Sequence, residues 1–284
     1  MRLISYELNG AEGVGVMVDD SGFVPAASVA SDLPATMLEL LERDGAIDAL
    51  KAAADGKPAE MTLADVKLLP VVPNPKAIWC VGVNYKDHQD ETGRGAQEEP
   101  MIFLRIAEAQ IAHGDPMVRP SFSDTLDWEG ELAVIIGKRG RAIPMEKAFD
   151  HIAGYSIYND GSVREWQRHT SQFAPGKNFQ DTGGFGPWMV TPDEFGDPYA
   201  HELTTRINGE QVQHTAIAAM DHKIDKLINY LSTAVTLNPG DVIATGTPGG
   251  VGSRRDPPWY MKPGDVCTVE ITGIGVLENP VIDG

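Results

Sequence analysis

The first 53 residues change from a two-residue to a helical hydrophobic period. In residues 4–8 and 14–18 apolar positions alternate with polar ones, and Asn9-Gly10 separates the two runs. This alternation around a turn signal predicts a β-hairpin. Residues 37–53 carry apolar side chains at helical spacing and predict two short helices. No residue of this lead segment has an obvious chemical role.

Three prolines, at positions 70, 73 and 75, mark a stiff connection after the lead segment. The elements predicted before and after this connection differ, because the later part of the chain is richer in strands. We therefore expect two domains, a small α+β N-terminal domain over residues 1–70 and a catalytic domain over residues 75–284.

The second domain is predicted to be β-rich with a few helices. Apolar runs at residues 77–83 and 101–104 predict strands. Asn208-Gly209 lies between two short alternating runs and predicts a hairpin with a type I′ turn. Residues 224–235 have apolar positions at a spacing of 3.6 and predict an amphipathic helix, and residues 161–169 predict a shorter one.

An acidic stretch begins a predicted central strand. A period of two places Asp127, Glu129 and Glu131 on one face, and residues 132–136 that follow are apolar on both faces. A solvated strand surface would explain an isolated case. Acids are disfavoured in strands, however, and like charges at this spacing repel one another. Because the strand runs on into a core, we expect these carboxylates to share a cation.

A further carboxylate, Asp160, ends a second apolar run at residues 152–158. Alone it would be interpreted as the N-cap of the helix predicted after it. Together with Glu129 and Glu131 it makes a third oxygen ligand. A site made only of carboxylates selects a hard divalent cation, Mg²⁺ or Mn²⁺ and sometimes Ca²⁺.

Composition narrows the class of protein. The chain has 284 residues, 42% of them hydrophobic, which is enough for a buried core. Its 41 acidic and 23 basic residues give a formal charge of −18 and argue against nucleic acid or an anionic membrane as partner. The N-terminus has no signal-peptide pattern, and no apolar run approaches the ~20 residues of a membrane span. Cys80 and Cys267 lie in separate apolar runs and are expected to be buried thiols. We expect a cytoplasmic enzyme.

From about residue 75 to the C-terminus the chain resembles the fumarylacetoacetate hydrolase superfamily. Each motif alone is weak, but together, and in the family's order, they are specific. The motifs are VGVNYKDH at 81–88, EGELAVIIGK at 129–138, GYSIYND at 154–160 with Arg164 and Gln167 after it, GKNF at 176–179, GP at 186–187, INGEQVQ at 207–213 and NPGDVIATGTPGGVG at 238–252.

The resemblance implies a fold and an assembly. The expected fold class is mixed, β-rich α+β, a β-roll or flattened mixed β-barrel with flanking helices, preceded by the small N-terminal domain. The resemblance also implies a homodimer. Mg²⁺ or Mn²⁺, with Ca²⁺ as an alternative, would be held by Glu129, Glu131 and Asp160.

Three catalytic residues follow from the same resemblance. His88 and Glu91 stand three residues apart in a predicted helical turn, a spacing that by itself favours a surface pair. Similar proteins use a His and a Glu here to handle a catalytic water. Lys177 matches a lysine that stabilises the developing enolate.

The resemblance also assigns substrate-binding roles. Arg164, one turn from Asp160, could simply pair with that carboxylate, but in similar proteins it meets a substrate carboxylate. Arg105 stands where many relatives have a lysine followed by proline, which leaves a cation with a different reach. Contacts near Arg94 and Ser171 are expected to recognise the rest of the substrate. The assigned substrate-binding residues are Tyr85, Arg105, Arg164, Gln167 and Thr247.

The implied reaction is hydrolytic cleavage of a C–C bond in a small anionic 2-oxo or 2,4-dioxo acid of the acylpyruvate type. Water activated by His88 would attack the distal carbonyl, and pyruvate or a related 2-oxo acid would leave. Two alternatives use the same residues: decarboxylation of an oxaloacetate-type acid, and hydration or isomerisation of an unsaturated 2-oxo acid. A binding protein without turnover is the alternative from another class.

Overall fold

The structure is a computed structural model that describes residues 1–93, 95 and 97–284. Arg94, near which contacts with the rest of the substrate are expected, lies outside the described residues.

Strands dominate the described part of the chain. They are β1 Arg2–Leu8, β2 Ala11–Met17, β3 Gly22–Pro25, β4 Met61–Thr62, β5 Lys67–Leu68, β6 Ile78–Gly82, β7 Met101–Arg105, β8 Gln110–Ile111, β9 Met117–Arg119, β10 Leu126–Asp127, β11 Gly130–Ile136, β12 Ile152–Asp160, β13 Ser162–Val163, β14 Gly183–Val190, β15 Glu202–Ile207, β16 Glu210–Ala216, β17 Val242–Ala244, β18 Val266–Ile271 and β19 Gly275–Asp283.

The helices are mostly short and lie between strands. The α-helices are α1 Ala26–Val29, α2 Met37–Glu42, α3 Ala46–Ala54, α4 Lys86–Thr92, α5 Arg164–Gln167, α6 Ala174–Lys177, α7 Pro192–Phe195 and α8 Ile224–Ala234. Stretches of 3₁₀-helix cover Leu63–Asp65, Ala107–Ala109, Met145–His151, Pro198–Ala200, Ile217–Ala219 and Gly252–Arg254.

The strands form mixed sheets with helices beside them. The largest has the order β4-β3-β2-β1-β14-β12-β11-β17-β6-β7, with β5 added to β1 and β8 added to β14. A second sheet has the order β16-β15-β18-β19-β9. Most pairs are antiparallel, but β17 runs parallel to β6, which makes the large sheet mixed. The predicted β-rich mixed fold with flanking helices is confirmed. A β-roll or flattened barrel was expected, and since both strand orders are open paths, no closed barrel forms among the described residues.

The lead segment continues the large sheet. Its hairpin, β1 with β2, forms as predicted, and β1 also pairs antiparallel with β14 through Arg2↔Val190 and Leu3↔Met189. Buried apolar side chains of both parts, such as Leu40 and Ile135, belong to one hydrophobic cluster. The division at residues 70–75 therefore stays a prediction, because a sheet and a core cluster both cross it.

The central pair of strands brings distant acids together. β11 pairs antiparallel with β12, so Gly130 is opposite Asn159 and Glu131 opposite Tyr158. Every residue of both strands is buried, in agreement with their continuous apolar pattern. Since the strand interiors are fixed between neighbours on both sides, the acids at their adjoining ends have little freedom to move apart.

Several local predictions are confirmed. Asn208 and Gly209 have φ of 51° and 83°, as a type I′ turn requires, and they join β15 to β16. The amphipathic helix is α8, and Cys80 and Cys267 are buried free thiols. Among the described helices, none combines the length and apolarity needed to cross a bilayer.

The predicted helix over residues 161–169 is wrong in extent. Only Arg164–Gln167 forms an α-helical turn, because Ser162–Val163 instead pairs with Leu126–Asp127 as a short strand. Asp160 accordingly lies at the end of β12 and does not cap a helix. This matters for the site, because the carboxylate is left free to face the acids of the neighbouring strand.

Candidate active site

Three carboxylates converge where β11 and β12 lie side by side. Glu131 is on β11, Asp160 ends β12, and Glu129 immediately precedes β11. The backbone holds them in place, because Asp160 N donates to Glu129 O over 2.8 Å and Glu129 N donates to the Asn159 side chain over 3.0 Å. All three are buried, and one oxygen from each lies within 4.8 Å of the others. Their predicted meeting is confirmed.

The ammonium group of Lys177 lies between two of these carboxylates. Its Nζ donates to Glu129 Oε2 over 2.5 Å and to Asp160 Oδ2 over 2.6 Å, and the side chain is buried. Burial opposes the charged form, but Asp160 and Glu129 outweigh it and raise the pKa of Lys177. Lys177, at the end of α6, is therefore a charged group inside the site.

Two arginines bind the outer sides of the same acids. Arg164 Nη1 donates to Glu129 Oε1 over 2.6 Å, and its Nε donates to Asp127 Oδ2 over 2.7 Å. Arg105 Nη1 donates to Asp160 Oδ1 over 2.6 Å. The pairing of Arg164 with Asp160 that the sequence allowed is therefore not the one that forms. Burial raises the pKa of Glu129, but Arg164 and Lys177 outweigh it and lower that pKa to about 2.

Glu131 is the exception among these acids. Its carboxylate accepts a hydrogen bond from Gly246 N over 2.8 Å, and it has no ion pair with any described residue. Burial, together with Asp160 and Glu129, raises the pKa of Glu131 well above its usual value. Gly246 has φ of 101°, which a residue with a side chain rarely adopts, so the backbone amide reaches Glu131 from a turn that suits glycine.

The donor set fits a hard divalent cation. Glu129, Glu131 and Asp160 offer only carboxylate oxygens, the ligands that Mg²⁺ and Mn²⁺ prefer. The ammonium of Lys177 sits beside two of them and supplies one positive charge to the group. The third acid, Glu131, lacks such a partner within the described residues.

Asp127 anchors the surroundings and is not part of the group. It accepts from three backbone amides, Trp128 N over 2.9 Å, Gly252 N over 2.8 Å and Ser253 N over 2.9 Å, besides Arg164. The alternation of acids in the sequence placed Asp127 on the same face as the ligands, but β10 ends at Asp127 and β11 begins only at Gly130, so the two are not one continuous strand. The interruption between β10 and β11 is what would have indicated that Asp127 has a separate role.

The predicted catalytic pair is formed on α4. His88 Nδ1 and Glu91 Oε1 are 2.6 Å apart, and Glu91 Oε2 accepts from Gly250 N over 2.9 Å. The His88 side chain is 7% exposed and that of Glu91 23% exposed, so this is not the solvated surface pair that spacing alone would favour. Glu91 fixes the imidazole through Nδ1, which leaves Nε2 as the ring nitrogen available for chemistry.

A cavity of about 470 Å³ joins these groups. Its walls include His88, Lys177 and two of the three clustered carboxylates, Glu129 and Glu131. Of the predicted substrate-binding residues, Arg164, Gln167 and Thr247 line it, as does Ser171, whereas Tyr85 and Arg105 do not. Their roles in binding stay predictions.

The two residues outside the cavity have other surroundings. The Tyr85 side chain is fully buried, and its hydroxyl has no hydrogen-bond partner among the described residues. Arg105 is held by Asp160, by Gly161 O over 2.9 Å and by Thr182 Oγ1 over 2.9 Å. Arg105 thus supports a carboxylate of the cluster from behind.

Among the charged residues that line the cavity, sequence reasoning missed Arg168 and Arg254. No motif or periodicity singled them out, because each is one arginine in a polar stretch. The signal was positional: Arg168 follows Arg164 by four residues, and Arg254 follows the TGTPGG turn.

Comparison with known proteins identifies relatives of the whole chain. Residues 77–282 match the family described as fumarylacetoacetate (FAA) hydrolase C-terminal. A mitochondrial oxaloacetate tautomerase of Xenopus laevis is 38% identical over 99% of this chain and 90% of the relative. An oxaloacetate tautomerase of Bacillus subtilis is 35% identical over 99% and 100% of the two chains.

Solved structures show the same fold. Fumarylacetoacetate hydrolase from Exiguobacterium antarcticum superposes with a TM-score of 0.85 at 34% identity and full coverage of both chains. Maleylpyruvate hydrolase from Sphingobium sp. SYK-6, solved with manganese(II) and pyruvate, superposes with a TM-score of 0.83 at 28% identity, again over both whole chains. This chain belongs to the fumarylacetoacetate hydrolase family.

Proposed function

We propose that this protein is a divalent-metal-dependent tautomerase that interconverts the keto and enol forms of an oxaloacetate-type 2-oxo acid. One observation carries the proposal: a single cavity is lined by an imidazole held by a carboxylate and by a buried ammonium beside an acidic metal-type site. Tautomerisation needs a group that moves a proton and a group that stabilises negative oxygen. The tautomerases that are 38% and 35% identical to this chain support the same reaction.

The metal would be held by Glu129, Glu131 and Asp160. When bound there, Mg²⁺ or Mn²⁺ supplies Lewis-acid polarisation of the 2-oxo group. The manganese in the maleylpyruvate hydrolase structure supports this choice of ion. We retain Ca²⁺ as the weaker alternative, because it also takes oxygen ligands.

The chain's own residues divide the proton transfer. His88 takes a proton from C3 of the keto acid at Nε2, which leaves an enolate. The enolate oxygen then gains a proton from water and the imidazolium returns its proton to water, so the enol forms with no net change in protons; ketonisation runs through the same steps in reverse. Glu91, fixed by Gly250 N, holds the ring and stabilises its protonated form. Lys177 stabilises the negative charge that develops on the 2-oxo oxygen as C3 loses its proton. Because Lys177 is buried, its charge acts at low dielectric, where it has the greatest effect.

The hydrolase expected from the sequence is the second candidate. The same His88 could deprotonate a water for attack on the distal carbonyl of an acylpyruvate, and the structural similarity to maleylpyruvate hydrolase favours it. Decarboxylation of oxaloacetate would need only the metal and Lys177. The three reactions differ in what His88 must do, and so they can be separated by experiment.

The deciding experiment follows oxaloacetate and acylpyruvates in parallel. Loss of the enol's ultraviolet absorbance reports tautomerisation, and pyruvate release reports cleavage or decarboxylation. We expect the purified protein with Mg²⁺ or Mn²⁺ to accelerate ketonisation of oxaloacetate well beyond any pyruvate release, with Zn²⁺ less effective. Pyruvate release from acylpyruvates without accelerated ketonisation would establish the hydrolase instead. Full activity after thorough chelation would refute the metal assignment.

We further propose that the enzyme works as a cytoplasmic homodimer on a small 2-oxo anion and has no nucleic-acid or membrane partner. The formal charge of −18 supports the exclusion of polyanionic partners. Light scattering coupled to size exclusion should give a mass of twice 30.6 kDa. A monomer at micromolar concentration would refute the dimer.

A further inference from the structure

Two exposed arginines stand on the cavity wall without a protein partner. The side chains of Arg168 and Arg254 line the cavity and make no hydrogen bond or ion pair with any described residue. By contrast, Arg2, Arg119 and Arg206 on the surface are paired with carboxylates. Arg139 and Arg141 are likewise exposed and without an ion pair among the described residues, so what distinguishes Arg168 and Arg254 is that they share one cavity wall.

Arg168 and Arg254 lie on two segments that both donate hydrogen bonds to one buried carboxylate, that of Asp127. Asp127 accepts from Arg164 Nε on α5 and from Ser253 N in the turn Gly252–Arg254. Arg168 directly follows α5, and its backbone N–H donates to Glu165 O. Arg254 immediately follows Ser253. Because Asp127 is fully buried, its hydrogen bonds to the two segments hold them at a fixed separation.

The same wall continues inward to Arg164. Arg164 begins α5 and Arg168 directly follows its last residue, Gln167, and both arginines line the cavity. Nη2 of Arg164 is buried and has no hydrogen-bond partner within the described part of the chain. Cationic donors therefore extend from the carboxylate cluster towards the exposed end of the cavity, against the negative field of the whole protein.

We propose that Arg168 and Arg254 form a second anion subsite that makes the enzyme selective for 2-oxo diacids over 2-oxo monoacids. The inference rests on the proposed function, which accounts for the other end of the substrate, the 2-oxo carboxylate. A distal carboxylate accepts charge-assisted hydrogen bonds from the two guanidinium groups, which present planar pairs of donors to it. A monoacid of the same length leaves both groups in water and gains nothing from them.

The test compares two five-carbon acids with the same 2-oxo carboxylate head. Calorimetry on the Mg²⁺-loaded protein measures the binding of 2-oxoglutarate and of 2-oxopentanoate. We expect the diacid to bind roughly 10-fold more tightly or better, which is the size of one charge-assisted hydrogen bond at a partly exposed site. The preference should shrink as ionic strength rises, because both arginines are exposed.

The variants are Arg168→Gln, Arg254→Gln and the double substitution, with Arg141→Gln as the matched control. Arg141 is exposed and lies outside the cavity wall. Each single change should weaken diacid binding several-fold, and the double change should abolish the preference while monoacid binding stays within about twofold. Unchanged melting temperatures show that the fold is intact. Equal affinities in the parent, or a preference that survives the double change, would overturn the subsite.

A separate ketonisation assay keeps the two proposals distinguishable. A parent that prefers the diacid but does not accelerate ketonisation of oxaloacetate refutes the tautomerase and leaves the subsite standing. A parent that accelerates ketonisation but binds both acids equally refutes the subsite alone.

Discussion

Replacing Lys177 by methionine should test both the stability and the chemistry of the site. Methionine fills a similar volume but removes the charge that lies 2.5 Å from Glu129 and 2.6 Å from Asp160. Each carboxylate keeps one cation, because Arg164 still holds Glu129 and Arg105 still holds Asp160. Each carboxylate therefore loses only part of its neutralising positive charge, and the remaining negative charge is concentrated where a divalent metal would bind.

The expected magnitude follows from that geometry. Breaking a buried ion pair costs about 3–5 kcal/mol, and the lower end applies because neither acid loses its only cation. At about 2 °C per kcal/mol for a domain of this size, the melting temperature of the chelator-treated variant should fall by roughly 6 °C. Removing the charge that stabilises developing oxyanion character should also lower kcat by about 10²- to 10³-fold.

The assay is thermal unfolding with chelator and across a Mg²⁺ titration, for the parent, for Lys177→Met and for the control Lys138→Met. Lys138 is exposed and should respond as the parent does. Because the variant has lost a competing cation, we expect Mg²⁺ to stabilise it more than it stabilises the parent. Steady-state kinetics with saturating Mg²⁺ then separate kcat from KM.

Two results would refute this reasoning. If chelator-treated Lys177→Met unfolds at the temperature of the parent, the ammonium does not offset the buried acids. If only KM rises, Lys177 recognises the substrate and does not act on the charge that develops during the reaction.

Three further predictions concern neighbouring residues. Glu131→Gln should weaken Mg²⁺ binding, measured by calorimetry, by more than the roughly 10- to 100-fold typical of a change outside the ligand set; retained affinity would show that Glu131 is not a ligand. His88→Gln should slow ketonisation by about 10²- to 10⁴-fold and Glu91→Gln by less, and equal losses would contradict their different roles. Arg105→Met should lower the free energy of unfolding by about 3 kcal/mol, the lower end for a buried ion pair because Asp160 keeps Lys177, whereas Arg105→Lys should cost less; the reverse order in denaturant titrations would count against this support.

The ligand set was predictable because short-range patterns in the sequence indicate it. Glu129 and Glu131 are two residues apart on one strand, and Asp160 ends the next long apolar run along the chain. Two consecutive strands that run into the same core commonly pair, and β11 and β12 do so. The turn at Asn208-Gly209 was equally local, because the residues themselves define the turn type.

The partners of the cations were not predictable in this way. Arg164 is one turn from Asp160 in sequence but binds Asp127, 37 residues away. That choice depends on α5 being shortened by the β10–β13 pairing, which no local pattern indicates. Arg105 likewise binds Asp160, 55 residues away, although β11, β17 and β6 lie between β7 and β12 in the strand order, and no local pattern indicates that contact.

The short seam between β1 and β14 has a consequence for protein engineering. The prolines at positions 70–75 invite truncation there, yet removing the lead segment would leave the Met189–Val190 end of β14 without its partner strand, while β8 would still pair with Gly183 and Gly184. Such an exposed edge is a template for pairing with another chain. A fragment starting at residue 75 would therefore be prone to aggregate, and the lead segment protects the sheet that carries the acidic cluster against intermolecular strand addition.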